Sequence, residues 1–173
     1  MSENSNDSVI VKLTASEGSK VPARLSFPAL FEKKAFQDSK PKFSAVFLLD
    51  KKQNAPDIKR LQDAIERVKK AKWGSKPVRL LGTCLRDGAD KPDIDGYGDG
   101  IMFVSASSEQ RPGVVDQKLN NLAADDGKPY AGCYVYFTIR LWAQDNQYGK
   151  RVNASLRNVQ FVRDGEPFGE KVA

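Results

Sequence analysis

Along residues 133–143 the chain alternates with a strict period of two. Cys133, Val135, Phe137, Ile139, Leu141 and Ala143 interleave with Tyr134, Tyr136, Thr138, Arg140 and Trp142. Only a strand sends successive side chains to opposite faces, so this segment is expected to be a half-buried β-strand, its first set in the core and its second lining about 30 Å of the other face. Residues 151–162 continue the pattern, with Val152, Ala154 and Leu156 directed inward and Arg151, Asn153, Ser155 and Arg157 outward. A polar break near Asp145-Asn146 makes the two runs a long hairpin.

The rest of the chain supplies partners for that hairpin. Residues 21–27 alternate (Val21, Ala23, Leu25, Phe27) before Pro28, residues 43–49 form a dense apolar run ending at Asp50, and residues 78–85 and 101–106 read as further strands. One helix is expected: Asn54-Ala55-Pro56-Asp57 is a start signal, and Ile58, Leu61, Ile65 and Val68 recur at helical spacing until Trp73-Gly74. Its other face, with Lys59, Arg60, Arg67, Lys69 and Lys70, is basic. In residues 1–20 only Val9, Ile10, Val11 and Leu13 are strongly apolar, which fits a flexible N-terminal segment or an edge strand. Segments 86–100 and 107–131, rich in Gly, Asp, Pro and Asn, are long loops of the kind that is usually functional or mobile. The predicted fold is mainly β, an OB-fold-like antiparallel barrel with one amphipathic helix and long loops. At 173 residues there is room for one such domain, placed at 21–169, and a short C-terminal tail at 170–173.

Several kinds of chemistry are excluded. With no histidine, Ser-His-Asp, Cys-His and His-zinc sites cannot be built. Cys84 and Cys133 sit in apolar runs and read as buried thiols of a reducing compartment, a single buried disulfide being the alternative. There is no phosphate-binding glycine loop ending in Lys-Ser/Thr, and Gly96, Gly98 and Gly100 alternate without a helix behind them. Residues 93–100 look like a cation loop, but Tyr97 occupies a ligand position and no glutamate closes it. Asp87, Asp90, Asp93 and Asp95 leave a metal-dependent nuclease as an alternative, although they cluster in one glycine-rich loop instead of on rigid elements. No catalytic residue, metal or cofactor is therefore expected. No stretch approaches the ~20 apolar residues of a membrane span, and Met1 to Asp7 lack a secretory pattern, which points to a cytoplasmic protein without a membrane partner.

With 28 basic and 22 acidic residues, a net charge of +6, a polyanion is the favoured partner. On the outward face of the alternating strand, Tyr134, Tyr136, Arg140 and Trp142 place rings and a guanidinium at every second or fourth position, as a stacking platform for unpaired bases requires. The hairpin adds Tyr148, Lys150, Arg151 and Arg157 as phosphate contacts. Lys42 and Phe43 repeat the basic-aromatic pairing, and Arg24 and Arg111 are further candidates, Arg111 on a rigid Pro-Gly turn. Each has a structural alternative. A central strand covered on both sides by helix 58–68 also carries aromatics on its second face, Phe43 can join Phe47 in the core, and Arg111 can pair with Asp116. An interaction module that binds no nucleic acid remains a third reading.

Five pieces taken in order carry a resemblance: Phe43 to Lys51 (FSAVFLLDK), the basic helix, Arg111 to Asp116 (RPGVVD), Ala131 to Val135 (AGCYV) and Asp164 to Gly169 (DGEPFG). From about Ala23 to Gly169 the chain resembles phage-type single-stranded-DNA-binding proteins. That resemblance implies an OB fold, sequence-independent binding of single-stranded DNA, and service to phage replication, recombination or repair in the host-cell cytoplasm, without catalysis or cofactor. It makes single-stranded DNA the expected partner, with replication or recombination proteins as further candidates, and leaves oligomeric state open. The DNA groove is expected on the faces named above, notably Tyr134, Tyr136, Arg140 and Trp142.

Overall fold

The structure, a computed structural model, describes residues 8–35 and 39–169. The start of the N-terminal segment and the tail at 170–173 lie outside the described residues. The alternating strand is β8 (Tyr134–Asn146), and it pairs antiparallel with β9 (Gly149–Arg163) down to Asn146↔Gly149, so the turn is Gln147-Tyr148, two residues beyond its expected place. Five further strands precede them in the main pairings: β1 (Val9–Leu13), β2 (Ala23–Lys34), β3 (Lys42–Asp50), the two-residue β4 (Gly82–Thr83) and β6 (Ile101–Ser108), with short β5 (Leu85–Asp87) and β7 (Gly113–Val115) beside them.

Pairings β8–β2, β2–β3, β3–β6, β6–β9 and β9–β8 run round a ring. All are antiparallel except the β6–β9 junction, a single parallel pair at Ser107↔Ser155. The barrel is thus OB-like, with an incomplete seam. Along that seam the free edge of β9 is met in turn by β4 at Arg151 and Val152, by β6 at Ser155 and by β7 at residues 158–160, each parallel to it. β1 lies on the outer edge of β8.

Three local features shape this barrel. β2 runs past Pro28, where the sequence suggests a stop: the register shifts between Ser26 and Ala29 and Phe27 adopts φ 45°, so the strand bulges where proline offers no N–H. A second bulge lies in the hairpin, where Thr138 faces Asn158 but Ile139 faces Leu156, leaving Arg157 as the extra residue turned outward. The expected strand at 78–85 is only partly formed. Residues 78–81 are not in a strand, although Leu81 N–H bonds to the Lys150 carbonyl oxygen at 2.9 Å, and pairing starts at Gly82.

Inside the ring Leu25, Phe47, Val104, Val135, Phe137, Ile139, Leu141, Val152 and Leu156 are buried, and the Phe47 and Phe137 rings stack at 3.8 Å. Helix α1 (Ala55–Trp73) turns Ile58, Leu61, Ala64, Ile65 and Val68 into the same core. Its start is held by buried polar bonds: Asn54 Nδ2 donates to the Val21 carbonyl oxygen (2.8 Å) and to Asp57 (3.1 Å), which also accepts the Ser19 hydroxyl (2.8 Å). At its end Gly74, at φ 71°, closes the helix, and Trp73 Nε1 donates to Asp145 at 2.9 Å, tying the helix to the tip of the hairpin. Both cysteines are buried and free; burial pushes the Cys84 thiol up to about 12 and the Cys133 thiol to about 11.

Candidate nucleic-acid interface

The outward faces of β3, β6, β9 and β8 form a groove of about 1200 Å³, walled at one end by the segment entering β7. Its floor is built of small polar side chains that alternate with buried residues of the strands: Ser44 on β3, Ser105 and Ser107 on β6, and Asn153 and Ser155 on β9. Cations rise around that floor. Lys42, Arg86, Arg111, Arg140, Arg151 and Arg157 all line the groove, against one carboxylate, Glu109. Glu109 is ion-paired with Lys40, and that hydrogen bond, reinforced by the charges of Lys40, Lys33 and Lys42, holds its carboxyl below the ordinary value.

Trp142 is the aromatic ring of the groove. It lies half-buried across from Asn153, one step along the strand pair from Arg140↔Ser155 and one step before Gln144↔Arg151. Its Nε1 is buried without a hydrogen-bond partner among the described residues. Such a surface combines phosphate-neutralising charge with hydroxyls, an amide and a ring, which suits a polyanionic chain carrying flat groups.

Half of the predicted residues meet in the groove and the other half do not. Lys42, Arg111, Arg140, Trp142, Arg151 and Arg157 converge on the groove. Tyr148 and Lys150 sit at the hairpin tip just outside it, Tyr148 being 71% exposed. Phe43 lies on β3 next to Lys42 and does not line the groove; the Lys33 ammonium is 5.8 Å from its ring centroid. Tyr134, Tyr136 and Arg24 gather elsewhere. Arg24 donates through Nε to the Gly132 carbonyl oxygen (2.9 Å) and through a terminal nitrogen to that of Glu166 (2.6 Å), and its guanidinium lies 4.1 Å from the Phe168 ring centroid. Tyr134 is covered by the Arg163 guanidinium at 4.3 Å, and the Tyr136 hydroxyl donates to the Ser19 carbonyl oxygen at 3.3 Å. Here the chain after β9 docks on the barrel: Phe168 N–H bonds to the Ala131 carbonyl oxygen (3.1 Å) and Gly169 N–H to Asp95 (3.1 Å). Gly132, at φ 106°, leaves room for the Glu166 and Pro167 backbone, which any Cβ there would strike.

Arg86 and the serine floor are not among the sequence-predicted residues. Ser105 and Ser107, alternating with Val104 and Ala106, are a legible signal of a strand with one close-approach face, whereas nothing in the sequence distinguishes Arg86 from other loop arginines. Arg111 does not reach Asp116. Its guanidinium lies 5.7 Å from the Phe31 ring centroid, and Asp116 instead accepts the Lys118 and Asn120 amides at 2.9 Å, bonds that keep its carboxyl below the ordinary value. The acidic loop is occupied structurally. Asp87 takes the Lys51 ammonium at 2.9 Å, Tyr97 bonds Ser26 at 2.9 Å, and among the described residues no three His, Cys, Asp or Glu side chains cluster closely enough to hold a metal ion.

Comparison with known proteins agrees with this architecture. The family described as "Enterobacter phage Enc34, ssDNA-binding protein" matches over residues 18–173. The chain belongs to this family. A relative by sequence is protein p50 of Acyrthosiphon pisum secondary endosymbiont phage 1, 41% identical over 155 residues that cover 84% of this chain and 82% of that protein. The single-stranded DNA-binding protein from bacteriophage Enc34, solved in complex with ssDNA, superposes with a TM-score of 0.78 at 31% identity, over 95% of this chain and 91% of that one. Bacteriophage T7 gp2.5, a single-stranded DNA binding protein, shares the fold at a TM-score of 0.55 and 14% identity, over 95% of this chain and 91% of that one. Among the described residues no helix is long and apolar enough to cross a membrane.

Proposed function

We propose that this chain binds single-stranded DNA, without sequence preference, in the β3–β6–β9–β8 groove, coating and protecting the strand during phage replication, recombination or repair in the host-cell cytoplasm. The observation that carries this reading is the groove itself: six cations against one ion-paired carboxylate, around a small polar floor and the Trp142 ring. Lys42, Arg86, Arg111, Arg140, Arg151 and Arg157 neutralise phosphates, Trp142 stacks on a base, and Tyr148 and Lys150 extend the track over the hairpin tip. Phe43 lies on β3 with the Lys33 ammonium 5.8 Å from its ring centroid, Arg24 and Tyr134 hold the chain around residues 132 and 165–168, and Tyr136 ties β8 to Ser19. The binding unit is the 21–169 domain, with β1 as an edge strand laid on it, and it works by occupancy alone, without catalysis. Preference for the unpaired form follows because a base must leave its partner to reach Trp142, so binding draws DNA toward the single strand.

Membership of the Enc34 family and the likeness to its ssDNA complex support this reading. Titration with mixed-sequence single-stranded DNA, followed by tryptophan fluorescence, tests it directly. Trp73 and Trp142 are the only tryptophans. Quenching that is stronger for single strand than for matched duplex and absent in Trp142→Phe is the expected result; no binding at low salt would overturn the function, and binding with the quench intact in Trp142→Phe would move the ring contact elsewhere.

A further inference from the structure

A second concavity, of about 520 Å³, lies where α1 ends, between its last turns and the segment that follows. It is lined by Arg67, Lys69, Lys70, Lys76, Pro77 and Val78, together with Glu66, Gly74 and Ser75. A helix C-terminus favours a cation or two in its last turn, and Lys70 and Lys72 meet that need. Arg67, Lys69, Lys76 and Arg79 exceed it. Among the described residues only Lys69 of this group has an ion-pair partner, Glu66 at 3.2 Å, so the local field is strongly positive.

The position of this concavity is fixed relative to the groove by three contacts. Trp73 Nε1 holds the helix end to Asp145 of β8, and Leu81 N–H holds the following segment to the Lys150 carbonyl oxygen of β9. Gly82 then pairs with Arg151, whose guanidinium lies so close that a Cβ on Gly82 would sit 3.2 Å from it. Arg151 is the groove cation nearest this segment. From Gly82 back to Val78 the chain can span at most about 14 Å, with Arg79 between them. Cations therefore continue from Arg151 and Lys150 through Arg79 and Lys76 to Lys70 and Arg67, outnumbering the two carboxylates beside them, Asp145, which accepts from Trp73, and Glu66, which is paired with Lys69, and Pro77 and Val78 give an apolar surface on which a base can lie.

We propose that this concavity is a second single-stranded-DNA site: a strand leaving the groove past Arg151 continues over the 76–81 segment onto the basic end of α1. The inference rests on the groove reading above and adds to it a longer path and a larger site size. Short strands are held by the groove alone, whereas longer ones also engage α1.

The test compares mixed-sequence oligonucleotides of about 6 and about 20 nucleotides, within and beyond the roughly 4–16 that one OB fold covers. Affinities are measured across a salt series for the wild-type chain, for the triple variant Arg67→Gln, Lys70→Gln, Lys76→Gln, and for the charge-keeping variant Arg67→Lys, Lys70→Arg, Lys76→Arg. For the 20-mer the slope of log affinity against log salt is expected to shallow by about 2 units in the glutamine variant, at ~0.7 per lost phosphate contact, and to return in the charge-keeping variant. The 6-mer should bind all three proteins alike. An unchanged 20-mer slope in the glutamine variant overturns the second site while leaving the groove intact. Equal losses for both lengths overturn it too, because the cations then act through the general field of the protein. Failure of the wild-type chain to bind the 6-mer at all overturns the groove reading, and the continuous path with it.

Discussion

Replacing Arg111 and Arg157 by glutamine isolates the electrostatic part of groove binding. Both line the groove, both are exposed, and neither has an ion-pair partner among the described residues. Arg157 is the bulged residue of β9 and Arg111 precedes the β7 turn, so removing either charge leaves the strand ladder in place. If all six groove cations neutralise phosphates of a strand confined to the groove, log affinity falls with log salt at a slope of about −4, from ~0.7 per contact on single strands. A fourfold rise in salt then weakens binding roughly 300-fold. With four cations left the slope is about −3, and the same rise weakens binding roughly 50-fold. Fluorescence anisotropy with a labelled oligonucleotide of about 6 nucleotides reads both slopes, with thermal melting as the control for folding. A double variant that loses affinity at every salt concentration by one constant factor, with its slope unchanged, would refute the assignment, because a lost phosphate contact must change the slope.

The dock around residues 132 and 165–168 separates from the groove in its response. Arg24→Ala removes two charge-assisted hydrogen bonds and two ring contacts, and should cost about 2 kcal/mol in urea unfolding while leaving 6-mer affinity within twofold. A pH titration of stability gives a further check: Asp50, held low by the Gln53 and Lys52 amides, and Asp87, held low by Lys51 and the Ala89 amide, bind protons less readily folded than unfolded. Their contribution is therefore complete above the ordinary carboxylate value and drains away as the pH falls through their lower folded values, so melting temperature should be flat near neutrality and drop on acidification. Asp87→Asn should flatten that drop in part.

The barrel is legible in the sequence wherever one rule governs a whole segment. Period two over 133–143 identifies the body of β8, and the 3.6-residue spacing of Ile58, Leu61, Ile65 and Val68 identifies α1 in the same way. The elements that escape are those set by tertiary partners. β4, β5 and β7 are two or three residues long and exist because β9 and β6 offer them free edges, a fact no local pattern encodes. Pro28 suggests a strand end, yet β3 continues to pair beyond it once Phe27 bulges.

The aromatic face of β8 shows why a correct strand does not by itself give a correct surface. Tyr134, Tyr136, Thr138, Arg140 and Trp142 do share one side of the strand, but a surface belongs to the neighbours as much as to the strand. Over the first half of β8 those neighbours are Ser19, Arg163 and the docked chain at 165–168, so the two tyrosines are spent on internal contacts and Thr138 is buried. At Thr138 the ladder slips by the one residue that turns Arg157 out, and beyond the slip the neighbours are the small side chains of β9 and β6. There the same face opens onto the groove. The functional division within one regular alternation thus falls at the bulge in the partner strand. The partner's sequence announces it, since Leu156 and Val159 are buried with two exposed residues, Arg157 and Asn158, between them. An inward-outward-outward-inward spacing inside a run of strict alternation is a bulge signal, and a bulge is where a strand changes which surface it serves.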